Sequence, residues 1–301
     1  MFPPNFIPDD MTKTMHGIVG LLLASFMFGT WGILSRYLGD NFSLFYQFWT
    51  RYLFVAFILL CIVLAQRSWK KIPRANMPVF ATRIIFALLT SLCIYLAFNA
   101  INIGTAYFAS YAGTIVGGFA IGSFFFRERI TALKVIAVAL SFAGLYTIYS
   151  FNFVPSELWY LFLALSSGVS YAGFYSCSKT ISKNYSAIQM TLVDYAGCFV
   201  LTLALSLVLK EEWLSLSLTF PWFINFIAAI TFVLTNILLI YGFKRVDVQT
   251  GTIILLTEIL FGIILAYIFF AESITTTMLL GGSMILIASC LAVFPESRLR
   301  K

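Results

Sequence analysis

The sequence predicts an all-α polytopic membrane protein with ten transmembrane helices in two inverted five-helix repeats. Hydrophobic residues make up 61% of the chain and charged residues 10%, whereas an average soluble chain is about half apolar and a quarter charged. The apolar residues form ten runs of about twenty residues, and a helix of that length crosses the roughly 30 Å hydrocarbon core of a bilayer. The second half of the chain also repeats features of the first half.

Short loops separate the ten spans, and the prolines within the repeats lie in these loops or at span ends, where a missing N–H costs little. The repeats cover residues 16–150 and 157–294, between an N-terminal segment 1–15 and a basic tail 295–301. We expect the first apolar run to be retained, because it is too long for a signal peptide and no cleavage site follows it. The predicted spans are 16–36, 44–65, 79–100, 104–126, 132–150, 157–178, 187–209, 222–243, 248–270 and 275–294.

A shift of 144 residues reveals the internal repeat. It lays residues 125–131 (FFRERIT) on residues 269–275 (FFAESIT), and it lays Thr114 on Glu258 and Gly118 on Gly262. Because each repeat holds an odd number of spans, the second copy enters the membrane from the opposite side. Transporters built from inverted repeats place the substrate between the repeats, near mid-membrane.

The basic residues predict the orientation. With the N-terminus inside, fifteen Lys and Arg residues fall on the inner side, only Arg36 and Lys210 fall outside, and Arg51 and Arg83 lie within spans. Positive residues accumulate in cytoplasmic loops, so both termini are expected in the cytoplasm and the chain in a bacterial inner membrane. Topology therefore accounts for the net charge of +7, and no nucleic-acid partner is predicted.

Several classes of chemistry lack a supporting pattern. The only histidine, His16, begins the first span, and the chain has no GxSxG, HExxH or P-loop motif. We therefore expect no enzymatic activity, catalytic residue, metal or cofactor. The five cysteines lie in apolar runs without metal-ligand spacing and are interpreted as small buried hydrophobes: Cys61, Cys93, Cys177, Cys198 and Cys290.

Glu258 is the one acidic residue near the middle of a span. An ionised side chain at that depth costs about 2.5–3.5 kcal/mol, so it should face protein or water rather than lipid. Gly251, Leu255 and Gly262 share its helical face and would let another helix or a substrate come close. Two interpretations follow: a site for proton coupling or for the charge of the substrate, or a buried carboxylate that bonds to neighbouring hydroxyls.

Polar and aromatic side chains recur at helical spacing in several spans and are predicted to wall a central cavity. The alternative is hydrogen bonding between helices, at about 0.6 kcal/mol per contact. With Glu258, the candidate substrate-binding residues are Trp31, Tyr95, Asn99, Tyr107, Tyr111, Thr114, Tyr171, Phe174 and Asn236.

The other charged residues within spans leave alternatives open. Arg51 lies about two turns from the outer end of its span and either reaches the interface or binds a ligand. Arg83 and Asp194 lie nearer the cytoplasmic side, where pairing with each other or with a loop is the simplest account. Asp194 is a second candidate for proton coupling.

Together these residues resemble the EamA type of the drug/metabolite transporter superfamily. The resemblance covers both repeats and is carried by Trp31-Gly32 in the first span, Arg51 in the second, Glu128 and Glu272 after the fourth and ninth, and Gly144 and Gly281 in the fifth and tenth. It implies a central cavity lined by the first, third, fourth, sixth, eighth and ninth helices. It also implies movement of amino acids or other small metabolites, often outward.

One feature of the family pattern is missing. The family usually carries a proline in the middle of the fourth and ninth spans, where this chain has Ile115 and Ile259. The glycines of the fourth span are predicted to pack closely or to supply the bending point instead: Gly113, Gly117, Gly118 and Gly122.

Because the sequence contains no ATP-binding motif, the predicted function is secondary active transport by alternating access. The predicted substrates are small amphiphilic or zwitterionic metabolites, and proton coupling is one option. Nucleotide-type and S-adenosylmethionine-like substrates are alternatives, because carriers for them share this architecture. A channel is the alternative from another class.

Overall fold

The computed structural model describes residues 9–38, 42–98, 100–101, 103–149, 155–213 and 219–293. Short 3₁₀ turns at Arg74–Asn76 and Pro155–Glu157 precede α3 and α6. The α-helices are α1 (Asp9–Leu38), α2 (Leu44–Ala65), α3 (Met77–Phe98), α4 (Ile103–Phe126), α5 (Ala132–Tyr149), α6 (Leu158–Ile181), α7 (Ala187–Val208), α8 (Phe220–Phe243), α9 (Val248–Leu255), α10 (Thr257–Phe270) and α11 (Thr276–Val293).

Within the described ranges, nine spans are long and apolar enough to cross a bilayer, with α9 and α10 counted as one. The tenth predicted span, α6, is as long as the others but carries five serines. It packs between α3 and α4, and the Ser167 hydroxyl donates to the Thr90 carbonyl at 2.8 Å. Four of the five serines are buried in the protein, so the polarity of α6 fits a bundle of ten helices.

The ninth span was predicted as one continuous helix, and this prediction is wrong. α9 ends at Leu255 and α10 begins at Thr257. At the junction the Leu256 N–H donates to the Ile253 carbonyl, and the Ile259 N–H donates to the Leu256 carbonyl, both at 3.1 Å. These three-residue steps tighten the chain as in a 3₁₀ helix. The span therefore consists of two half-helices that meet near its middle.

The two halves of the chain share local backbone geometry. The described non-glycine residues with left-handed φ form two pairs: Arg67 (48°) with Lys210 (53°), and Arg127 (54°) with Ala271 (52°). Each residue follows the end of a helix, where this conformation stops the helix. The members of a pair lie 143 or 144 residues apart, so these strained positions confirm the repeat in three dimensions.

Corresponding helices of the two repeats make corresponding contacts with each other. α6 packs against α3 and α4, and its counterpart α1 packs against α8 and α10. α2 pairs with α7, and α5 pairs with α11. Where α5 and α11 cross, a Cβ on Gly144 would lie 2.7 Å from the Gly281 carbonyl, and the reverse distance is 2.6 Å. The two repeats are thus interleaved around a shared interior.

Candidate functional site

Two hydroxyls add hydrogen bonds to carbonyls at the helix break. Thr257 donates to the Ile254 carbonyl at 2.7 Å, and Ser289 of α11 donates to the Ile253 carbonyl at 3.3 Å. In a membrane protein such side chains replace the helical bonds that a break removes. Hydroxyls on α10 and α11 therefore contribute to the hydrogen bonding of a break that contains no proline.

Glu258 lies in the first turn of α10, directly after the break. The N-terminus of a helix favours an anion, because its free N–H groups and the helix dipole are positive there. The side chain is half-buried, and Oε2 has no hydrogen-bond partner among the described residues. The break thus holds a carboxylate with one buried oxygen that no described group bonds.

Tyrosines from three helices surround this carboxylate. Tyr107 and Tyr111 of α4 and Tyr149 of α5 form a stack with ring centroids 5.8–6.3 Å apart and interplanar angles of 15–22°. Tyr111 lines the same cavity as Glu258. On the α6 side, Tyr171 contacts Tyr175 with ring centroids 4.2 Å apart. The carboxylate therefore lies among aromatic faces and phenolic hydroxyls.

A cavity of about 680 Å³ extends from Glu258 to one end of the bundle. We call this the open end; it holds the C-termini of α5 and α10 and the exposed residues Glu272, Ser273 and Ile274. A Cβ on Gly262 would meet no atom of the described residues within 4 Å, so α10 offers bare backbone to this space. The other lining residues are Phe28, Gly29, Trp31, Ile33, Tyr107, Tyr111, Ile148, Tyr149, Ile259, Ile263, Ala266, Phe270 and Met278.

The opposite end, the closed end, is held by Glu128 after α4. Its carboxylate accepts the backbone N–H groups of Val248 at 2.8 Å and Gln249 at 3.0 Å. Lys179 of α6 lies 2.9 Å from the same carboxylate, whose side chain is 4% exposed. An anion at this position caps the N-terminus of α9 and ties α4, α6 and α9 together.

Further contacts tighten the closed end. Lys134 of α5 donates to the Gln249 side chain at 3.0 Å and lies 3.4 Å from the Asp247 carboxylate. A Cβ on Gly118 would lie 2.5 Å from the Thr252 side chain, so α4 and α9 are in direct contact. The two ends of the bundle therefore differ: the cavity that Glu258 lines reaches one end, and ion pairs and packing close the other.

Four of the ten predicted substrate-binding residues line the cavity: Trp31, Tyr107, Tyr111 and Glu258. Tyr171 lies behind this wall, with its ring centroid 5.8 Å from that of Phe28. Thr114, the repeat counterpart of Glu258, is buried, and its hydroxyl donates to the Ser110 carbonyl at 3.0 Å.

The remaining predicted residues lie elsewhere. Phe174 packs on the Arg83 guanidinium, 4.6 Å from its ring centroid. Asn236 donates to the Tyr195 hydroxyl at 2.6 Å and to the Phe232 carbonyl at 3.0 Å, as hydrogen-bonding between helices predicts. Tyr95 does not line the cavity, and Asn99 lies outside the described residues.

Asp194, the second candidate for proton coupling, forms a buried ion pair with Arg83. The Arg83 Nη2 lies 2.5 Å from Oδ2, Nε donates to Oδ1 at 3.0 Å, and the two side chains are 0% and 1% exposed. Arg83 also donates to Ser178 and to the Phe174 carbonyl. This pairing confirms the simplest account of the two charges and keeps Asp194 away from the cavity.

Sequence reasoning missed the residues that α5 and the loop after α10 contribute. Tyr149 ends a span without a polar stripe, although its distance from Tyr107 and Tyr111 makes it part of the same aromatic wall. Glu272 and Ser273 were noted only as repeat markers. No three His, Cys, Asp or Glu side chains of the described ranges come together as a metal-ligating group.

Comparisons with known proteins agree with this architecture. The model of the EamA-like transporter family matches residues 15–150 and again residues 158–294. An uncharacterized transporter of Archaeoglobus fulgidus is 29% identical over 162 residues, which is 53% of this chain, and the match spans only 56% of the relative's own length. A solved crystal structure superposes with a TM-score of 0.78 at 15% identity, over 93% of this chain and 98% of the other, which supports the fold. Since the family model matches both halves, the chain belongs to the EamA-like transporter family.

Proposed function

We propose that the protein is a secondary active transporter of small amphiphilic or zwitterionic metabolites, such as amino acids and related compounds, and that Glu258 binds the positive charge of the substrate or a coupling proton. One observation carries the proposal. A carboxylate oxygen without a partner among the described residues lies at a helix break, at the inner limit of a cavity that is closed at its far end.

The chemistry of the cavity supports this substrate class. Its volume of about 680 Å³ falls within the roughly 300–1,000 Å³ of small-molecule sites. A carboxylate attracts an ammonium group, and tyrosine rings attract cations through their faces. The apolar residues of α10 and α5 would contact the uncharged part of the same molecule. A small molecule with a cationic group and an apolar body fits both features.

The difference between the two ends supports alternating access rather than a channel. With the orientation that the basic loops predict, the open end faces outward and the Glu128 network faces the cytoplasm of a bacterial cell. The five-helix repeats are then inverted, and the alternate state would close one end as it opens the other. A channel needs both ends open at once, whereas ion pairs and the contact of α4 with α9 block this one.

Counterflow in liposomes tests the proposal. Purified protein is reconstituted and preloaded with one amino acid, amine or nucleotide from a panel that is first screened for thermal stabilisation, because a ligand of the folded state raises its melting temperature. A carrier accumulates labelled substrate transiently and saturates with concentration. Single-channel currents that never saturate would contradict the proposal.

A further inference from the structure

Arg51 of α2 is a buried cation with no counter-charge among the described residues. Its side chain is 2% exposed, so it does not reach the interface. Nε donates to the Asn225 side chain at 3.2 Å, while Nη2 has no hydrogen-bond partner in the described part of the chain. Ion pairs are present at Arg83, Lys134 and Lys179, but no described carboxylate lies within ion-pair distance of Arg51.

The other repeat shows what is missing. Position 51 corresponds to position 194 in the register of 143 residues that also relates Arg67 to Lys210 and the helix-capping residues Ser43 and Ser186. There, α7 meets α3 through a complete Arg–Asp pair. Here, α2 meets α8 through Arg51 and a neutral amide. In the part of the chain that the structure describes, Arg83 has a carboxylate partner and Arg51 has none.

Aromatic rings do not replace the missing anion. The Arg51 Cζ lies 5.4 Å from the Trp31 ring centroid and 5.5 Å from that of Phe232. Such contacts stabilise a cation through the ring faces, but they leave its net charge unchanged. An ionised side chain inside a membrane protein without a charged partner commonly marks a ligand site.

Trp31 joins this charge to the cavity. Its indole lines the cavity that also holds Glu258. It also contacts Phe28, Arg51 and Phe232, whose ring centroid lies 4.1 Å away. We propose that Arg51 forms an anion-binding site behind Trp31, separate from Glu258, that takes a monovalent anion: the carboxylate of a substrate or a free inorganic anion. A rotation of the indole would expose the unpaired Nη2 to the cavity.

This site is tested by binding, independently of transport. The melting temperature of the full-length protein is measured in sodium acetate, in sodium chloride and in a salt of a bulky sulfonate, at equal ionic strength. Wild-type protein is expected to gain about 2 °C or more in the small anions relative to the sulfonate, by mass action on the folded state. Arg51→Gln should lose this gain, whereas Arg74→Gln, which removes an exposed arginine, should keep it.

A second variant covers the case in which Arg51→Gln does not fold. Asn225→Asp supplies the internal carboxylate that the other repeat has, keeps Arg51 and should abolish the gain. Stabilisation by acetate alone would identify a substrate carboxylate as the ligand, and equal stabilisation by chloride would identify an inorganic anion. The proposal is overturned if wild-type protein gains nothing over the sulfonate, or if Asn225→Asp gains as much as wild type. Neither result bears on whether Glu258 supports transport, so the two proposals fail separately.

Discussion

Glu128→Gln is expected to shift the protein toward the state in which the closed end opens. Each carboxylate oxygen accepts one N–H group, at 2.8 and 3.0 Å. Glutamine has a single acceptor oxygen, so it loses one charge-assisted bond of about 1.5–3 kcal/mol and weakens the other to a neutral bond of about 0.5–1.5 kcal/mol. Lys179, 22% exposed, adds at most about 1 kcal/mol through its partly screened ion pair. The total of about 3–5 kcal/mol corresponds to roughly a 150- to 5,000-fold change in the conformational equilibrium.

Thiol labelling measures this shift. Thr252 is fully buried against α4 at the closed end, so Thr252→Cys, in a background without the native cysteines, should react slowly with an aqueous maleimide. Adding Glu128→Gln should raise the labelling rate by at least tenfold, while Glu212→Gln, at an exposed carboxylate, should leave it unchanged. Equal rates with and without Glu128→Gln would refute the idea that this carboxylate holds the closed end.

Three other predictions follow from packing, charge and topology. Gly113→Ala should cost about 1–3 kcal/mol, measured as a lower melting temperature, because its Cβ would lie 2.1 Å from the Leu165 carbonyl, whereas Gly262→Ala meets open space and should cost nothing; equal effects would contradict this packing. Asp194→Asn should cost about 3–5 kcal/mol of unfolding free energy, since it leaves Arg83 buried and unpaired; an unchanged melting temperature would mean that the pair is dispensable. In intact cells, an impermeant thiol reagent should label Ser273→Cys but not Lys71→Cys, both at exposed positions, and the reverse pattern would invert the assumed orientation.

Hydropathy and the internal repeat predicted the fold because both can be identified from the order of residues along the chain, without knowledge of contacts between helices. The alignment of residues 125–131 with 269–275 was visible in the sequence, and the left-handed Arg127 and Ala271 lie inside those two segments. The helix break was not predictable in this way. Leu255, Leu256 and Thr257 contain no proline or glycine, and Ser289, which bonds to a carbonyl at the break, comes from another helix.

The candidate site was predictable where charge was decisive. A carboxylate near mid-span required a cavity or a partner, and Glu258 lines a cavity. The partners of Arg83 and Arg51 required the fold, because the sequence left interface, pairing and ligand binding open for Arg51. Polar and aromatic residues at helical spacing predicted the cavity lining less well. Asn236 and Phe174 have the right spacing but contact neighbouring helices, because helical spacing does not reveal which side of a helix meets the cavity.

The most direct test of the central claim is transport by Glu258→Gln in liposomes, with the substrate identified by the screen, from weakly acidic to weakly alkaline pH. Glutamine keeps the size and hydrogen bonding of the side chain but cannot titrate or carry charge. If Glu258 couples protons, uptake driven by a pH gradient is lost while substrate exchange remains; if it binds the cationic group of the substrate, exchange falls as well. Glu212→Gln serves as the control and should transport like wild type. Wild-type uptake and exchange by Glu258→Gln across this pH range would contradict the account.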